Sequence, residues 1–207
     1  RFLDIQLKVT YSETQPFRRM KVRLKKEIIS LGRKDINPRE MTGERISPEA
    51  LKNLLDKKEE VLVLDTRNEY ETRVGKFENA IDLNLDTFRD FPKAVESLPE
   101  EYKDKQIVMY CTGGIRCEKA SAVMMKAGFA DVKQLDGGVL EYFKETGGAY
   151  WEGDCFVFDE RVALDKELNE TEYIYCYICR EPLSAKEKAS PDFKINEHCP
   201  YCIDSSF

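Results

Sequence analysis

The sequence predicts an α/β fold for residues 47–146, a parallel sheet with helices on both faces, and three observations carry the prediction. Val61–Leu64 is a short continuous apolar run, and Gln106–Tyr110 is nearly so. Such runs mark strands buried on both sides, where an alternating pattern would mark a half-exposed sheet. Between and after them lie helical patterns at the spacing of strand–helix–strand units. The third observation is that both flanks differ in kind, a basic stretch before the domain and a cysteine-paired stretch after it.

In chain order, residues 1–30 carry two strand-like stretches. Phe2, Ile5, Leu7 and Val9 alternate imperfectly, whereas Met20, Val22 and Leu24 alternate cleanly with Arg19, Lys21, Arg23 and Lys25. So short a piece buries too little to stand alone, so it reads as a partial small α+β domain. Residues 31–46, with Gly32, Pro38 and Gly43, read as linker. The main domain opens on Ser47 as N-cap and Pro48 at the first helical position, with Leu51, Leu54 and Leu55 on one face. The strand at 61–64 stops at Asp65-Thr66-Arg67. A helix is expected over 88–97, bent near Pro92, then a strand over 106–110. The loop Cys111–Ile115 leads into a helix over 116–126, closed by Gly128. A third strand covers 132–135, and Gly137-Gly138 releases a helix over 139–145. Residues 147–172 read as a connecting arm packed by its aromatics, and 173–207 as a four-cysteine module.

Composition is that of a folded chain of 207 residues, 42% apolar and 35% charged. The apolar runs fall far short of the roughly 18 residues of a membrane span, so no membrane partner is expected. Nothing at the start reads as a signal peptide, although Arg1 is no initiator. Charge is uneven: ten Lys or Arg against four acidic residues lie between Phe17 and Arg45, +6, leaving −12 for the rest. Arg18, Arg19 and Lys21 are candidate phosphate contacts on a polyanion such as RNA; the bland reading is a solvated strand surface. Seven cysteines, an odd number with two C-x-x-C pairs, point to metal and thiolate chemistry in a reducing, cytoplasmic setting.

The chemistry concentrates at Tyr110-Cys-Thr-Gly-Gly-Ile-Arg-Cys117. Gly113 and Gly114 let the backbone curl and aim successive N–H groups inward, and the helix start adds a partial positive charge. Such a nest favours the Cys111 thiolate, both a nucleophile and a sulfur carrier. Arg116 supplies a cation with fork geometry, while Thr112, Gly113, Gly114 and Ile115 form the cradle. Four residues separate Cys111 from Arg116; the wider cradle that cysteine phosphatases use for phosphate has five. The smaller ring favours sulfur over phosphate chemistry. Asp65 and Arg67 sit at the carboxyl end of a strand, where α/β sheets place their ligands, and support the loop or lock the domain's edge. Arg73 and Lys76 are candidates for a substrate entrance. Cys117 is either a transient disulfide partner of Cys111 or a packed thiol, and Cys155 reads as a core cysteine.

Cys176-x-x-Cys179 and Cys199-x-x-Cys202 have the spacing of a structural zinc site, four thiolates closing a tetrahedron. A redox dithiol is the alternative, and His198 a substitute ligand. Tyr173, Tyr175 and Tyr177 alternate with Ile174, Cys176 and Ile178, a ribbon leading into the first pair.

Asp65-Thr-Arg-Asn-Glu-Tyr70, Gly75-Lys-Phe-Glu-Asn-Ala-Ile81, the Cys111 loop and Leu135-Asp-Gly-Gly138 resemble the successive motifs of the rhodanese superfamily. More narrowly, Arg18–Arg23, Cys111–Ser121 and Cys155–Val162 resemble the rhodanese-domain tRNA uridine hydroxylases, from Phe17 to Cys202. The resemblance implies a rhodanese-like sheet, tRNA as partner, dioxygen as co-substrate, 5-hydroxylation of the wobble uridine, and Cys111 as a persulfide-forming active-site residue. It also implies a fuller N-terminal domain than residues 1–30 provide. No flavin, haem or facial-triad iron signature is present, so no organic cofactor is expected. Two other classes stay open: a sulfurtransferase taking sulfane sulfur from a donor onto Cys111, and a non-enzymatic rhodanese–zinc interaction module. The oligomeric state is not specified by the sequence.

Overall fold

The computed structural model describes residue 9 and residues 11–205. The expected strand over Phe2–Val9 therefore lies outside the described residues, apart from Val9. Along the chain run β1 (Glu44–Ile46), α1 (Pro48–Asp56), β2 (Val61–Asp65), α2 (Glu69–Thr72), β3 (Gly75–Phe77), β4 (Ile81–Asp82), α3 (Phe91–Glu96), β5 (Gln106–Tyr110), α4 (Ile115–Lys126), β6 (Asp131–Leu135) and α5 (Gly138–Thr146). After them come β7 (Trp151–Gly153), β8 (Cys155–Phe156), β9 (Ala163–Leu164), β10 (Ile174–Tyr175), β11 (Pro182–Leu183) and α6 (Ala185–Lys188).

The central sheet is five-stranded and parallel, in the order β1-β6-β5-β2-β4. Its interior strand β5 shows why the apolar run is unbroken. Ile107 and Met109 pack with Leu64, Phe91, Val123 and Met124 on one face. Val108 and Tyr110 pack with Leu51, Val139, Phe143 and Trp151 on the other. Helices α3 and α4 cover the first face, and α1 and α5 the second. The Ser47 hydroxyl accepts from Ala50 N at 3.2 Å, capping α1 as its sequence requires. The expected helix over 88–97 is split: a single 3-10 turn, Phe88–Asp90, precedes α3, with Pro92 near its start.

Two expectations change. The segment 31–46 is not a free linker. Leu31 and Ile36 are buried in the core, and residues 44–46 add an edge strand beside β6. Gly43 N donates to Ser121 Oγ at 2.9 Å and Gln134 Nε2 to Gly43 O, fastening the segment to α4 and β6. At three residues, one of them apolar, β1 is too short for periodicity to reveal. Next, the alternation at Met20, Val22 and Leu24 forms no strand: all three are almost fully exposed. Among the described residues no strand pairs with it, and an extended ribbon without a ladder has little to hold it. The arm after α5 packs on the body through its aromatics. Trp151 pairs β7 against β3 and sits among Phe77, Tyr110 and Phe143. No helix among the described residues is long and apolar enough to cross a membrane.

Candidate active site

Strands β2 and β5 lie side by side and end together, with Asp65 in register with Tyr110. This delivers Thr66-Arg67 and Cys111 to the same edge of the sheet, the position at which open α/β folds bind ligands. The Cys111 loop is pinned by α5: Val139 N donates to Cys111 O at 3.0 Å and Leu140 N to Thr112 O at 3.2 Å. Gly138 makes that approach possible, since a Cβ there would stand 2.4 Å from Cys111 O. Gly114 takes φ +85°, the left-handed conformation from which α4 starts.

Cys111 is buried, with 2% exposure, and Gly114 N donates to its Sγ at 3.2 Å. A hydrogen bond from the Cys117 thiol is the main influence drawing its pKa down to about 5, against the opposing cost of burial. The charge of Arg116 and the N–H groups of Arg116 and Cys117 add to it. Cys117 is the complement: burial, then its bond to Cys111, push its thiol well up. Its other neighbour is Thr66 Oγ1 at 3.7 Å. With Cys111 in the loop and Cys117 in the first turn of α4, the two thiols shift in opposite directions. Cys155, wholly buried, is pushed up to about 12 by burial, fitting a core thiol.

Arg116 does not stand free in the loop. Both terminal nitrogens meet the Glu71 carboxylate, Nη2 at 2.7 Å from Oε2. Glu71 is fully buried and also accepts from Thr112 Oγ1 at 3.3 Å and from Asn68 N at 3.1 Å. This carboxylate went unrecognised in the sequence. Its one signal was the Asn68-to-Glu71 spacing of a helix N-terminus, which describes exposed helix starts as readily as buried ones.

Asp65 and Arg67 form a separate, fully buried pair. Arg67 Nη2 donates to Asp65 Oδ2 at 2.7 Å and to Gly75 O at 2.6 Å, and its guanidinium lies 5.0 Å from the Trp151 ring centre. They join β2 to β3 and β7, so of the two roles expected, the structural lock is the one the contacts describe. Arg73 bonds to Glu181 and lies 4.1 Å from the Tyr201 ring centre, while Lys76 pairs with Asp82 at 3.3 Å. Arg73 thus faces the cysteine module. Arg18, Arg19 and Lys21 are exposed, and Arg18 reaches Glu160 at 3.2 Å.

In the module, β10 and β11 form a hairpin and the sulfurs of Cys176, Cys179, Cys199 and Cys202 all lie within 4.8 Å of one another. The resolved pairs are 3.9, 3.5 and 3.6 Å apart. Four sulfurs each about 2.3 Å from a central ion would sit about 3.8 Å apart, so the cluster has the dimensions of a tetrahedral metal site. His198 is not part of it.

The thiolate reading has a direct check. Alkylation of Cys111 by iodoacetamide should follow a titration with its midpoint near 5. Its rate should level off by pH 7 and fall as pH drops through that midpoint, because only the thiolate reacts. Mass-spectrometric mapping should show Cys117 and Cys155 lagging far behind; preferential labelling of either would contradict the assignment.

Residues 47–145 match the family model of the rhodanese-like domain. The chain is 44% identical to a tRNA uridine(34) hydroxylase of Cupriavidus pinatubonensis, over 98% of this chain and 74% of that protein. Among solved structures, the rhodanese-like domain from Anabaena sp. is 24% identical, covering 55% of this chain and 80% of that one with a TM-score of 0.43. A rhodanese-like domain protein from Staphylococcus aureus is 26% identical, covering 48% and 90%, with a TM-score of 0.41. The chain is a rhodanese-domain protein, and it belongs to the family that includes the tRNA uridine(34) hydroxylase of Cupriavidus pinatubonensis.

Proposed function

We propose that this protein is an oxygen-dependent tRNA hydroxylase that converts the wobble uridine to 5-hydroxyuridine, with Cys111 as the working group. The observation that carries the reading is the extent of the kinship: it runs through 98% of the chain, well beyond the rhodanese domain on both sides. The site chemistry is consistent with it. A low-pKa thiolate is the form that adds to an electron-poor carbon such as C6 of a uridine, raising electron density at C5. One atom of dioxygen enters there, the other leaves as water with two electrons and two protons from a thiol reductant, and loss of the C5 proton expels the thiolate. Attack of the Cys111 thiolate on a sulfane donor such as thiosulfate, with sulfite leaving, would extend the group by about 2 Å as a persulfide. Arg116, held by Glu71, stabilises negative charge on that terminal sulfur. The decisive assay incubates purified protein with tRNA and a thiol reductant under air and under argon and quantifies 5-hydroxyuridine by mass spectrometry. Product only under air supports the reading; thiouridine, or thiosulfate-dependent sulfur release with no hydroxylation, would turn it to sulfur transfer.

Arg18, Arg19 and Lys21 would meet tRNA phosphates. Replacing all three with alanine should weaken tRNA binding and flatten the slope of log affinity against log salt, since each lost phosphate contact releases about one counterion fewer. Unchanged affinity and slope in the full-length protein would make them a solvated edge.

The four-cysteine cluster would hold a structural zinc ion, which would supply folding energy to a module with little core of its own. Its buried apolar content is slight: Leu183 is the chief side chain beside the cysteines. Protein prepared without chelators should carry about one zinc per chain. Stripping it should raise hydrogen exchange across 174–203 while β2 and β5 stay protected. Zinc-free protein with an unchanged exchange pattern would refute this.

A further inference from the structure

The segment Cys155–Val162 is used by none of the chemistry above, yet its construction points outward to the site. Phe158 is 59% exposed, and its ring centre lies 5.5 Å from the guanidinium carbon of Arg116. Edge-on beneath it is Phe156, itself buried, with ring centres 5.0 Å apart. The Phe156 carbonyl accepts from Thr112 Oγ1 at 3.4 Å, which ties the segment to the Cys111 cradle.

The turn that follows is rigid. Val157 N donates to Val162 O at 2.9 Å, and Arg161 clasps Asp159 through Nε at 2.9 Å and Nη2 at 2.6 Å. Val162 is held at φ +65°, a conformation costly for a β-branched residue and retained only where its surroundings enforce it. A braced turn therefore presents an apolar ring to solvent beside the active cation. On its outer side, Arg18 reaches Glu160, and Pro16 O accepts from Glu160 N at 3.0 Å, so the basic segment runs past the same turn. Across the loop, Ile115 is also half-exposed.

We propose that Phe158 is the stacking platform for the target uridine, receiving the splayed-out base so that its C5–C6 edge faces Cys111. Exposed aromatic rings beside cations are how proteins hold unstacked bases of single-stranded RNA loops. The ring gives a flat apolar face, the guanidinium of Arg116 lies against it, and the fixed turn avoids the entropy of ordering a mobile side chain. The proposal rests on the tRNA hydroxylase reading and adds the residue that seats the base.

The test uses the full chain and an anticodon stem-loop carrying uridine at position 34. Phe158→Ala should raise KM roughly 5-fold to 150-fold, the range that loss of one base-stacking contact gives, with a smaller change in kcat. Phe158→Tyr should stay near wild type, and Phe158→Leu should resemble Phe158→Ala because it keeps bulk without a π-face. Phe158→Trp should show emission quenched on adding the stem-loop, read against the buried Trp151. The pH profile of Cys111 alkylation should be unchanged in all four variants. Wild-type-like KM in Phe158→Leu would overturn the proposal. So would a shifted alkylation profile in Phe158→Ala, since the ring would then act by shielding Arg116. A wild-type protein that neither binds nor hydroxylates the stem-loop would instead overturn the hydroxylase reading, and this proposal with it.

Discussion

Cys111→Ser should reduce uridine hydroxylation by purified protein about 10³-fold or more while leaving the fold intact. Oxygen and sulfur differ little in size, and the seryl hydroxyl can accept the same Gly114 N–H bond that the sulfur accepts at 3.2 Å. A hydroxyl is not ionised near neutral pH, and it cannot carry a second sulfur. The thiolate of Cys111, with a pKa near 5, is almost fully formed at pH 7. Thermal denaturation should therefore shift little, whereas steady-state turnover should vanish into background. Substantial activity in Cys111→Ser would mean that the loop binds or orients without reacting. Arg116→Ala would remove positive charge from beside the sulfur, and so should leave residual turnover between these extremes.

Arg67→Met should be the most damaging single change to stability, and it acts away from the chemistry. Arg67 and Asp65 are both completely buried, their pairing supplemented by the bond to Gly75 O and by contact with Trp151. Removing one member strands a carboxylate inside the protein, at a cost of about 3–5 kcal/mol. Domains of this kind hold about 5–15 kcal/mol in all, so unfolding near physiological temperature is expected. Replacing both, Asp65→Leu with Arg67→Met, should recover a good part of the loss, because no charge is left uncompensated. Denaturant midpoints for wild type, single and double variants would decide it. A single variant as stable as wild type would show that water reaches the pair.

How far the sequence carried this account depends on the range of each interaction. The strands at 61–64, 106–110 and 132–135 and the helices around them were legible because burial on both faces leaves a local apolar signature. Strands β1 and β4 were not: each has two or three residues, and their place in the sheet is fixed by a neighbour rather than by their own pattern. Met20, Val22 and Leu24 show the converse, a strand-like alternation that meets no partner strand among the described residues. At the site, the cysteine, glycines and arginine of the loop were readable because they are contiguous. Glu71, the carboxylate that holds Arg116, is 45 residues away, in the charged stretch Arg67–Arg73. Phe158 likewise lies within the motif Cys155–Val162, but only the folded chain brings its ring over Arg116.

The most direct test of the claim that Cys111 serves tRNA hydroxylation is nucleoside mass spectrometry of tRNA from cells lacking this gene, complemented with wild type or with Cys111→Ser. 5-Hydroxyuridine and its derivatives should fall on deletion, return with wild type and stay low with Cys111→Ser at equal protein level. Full recovery by Cys111→Ser, or loss of thiouridine in place of hydroxyuridine, would contradict it.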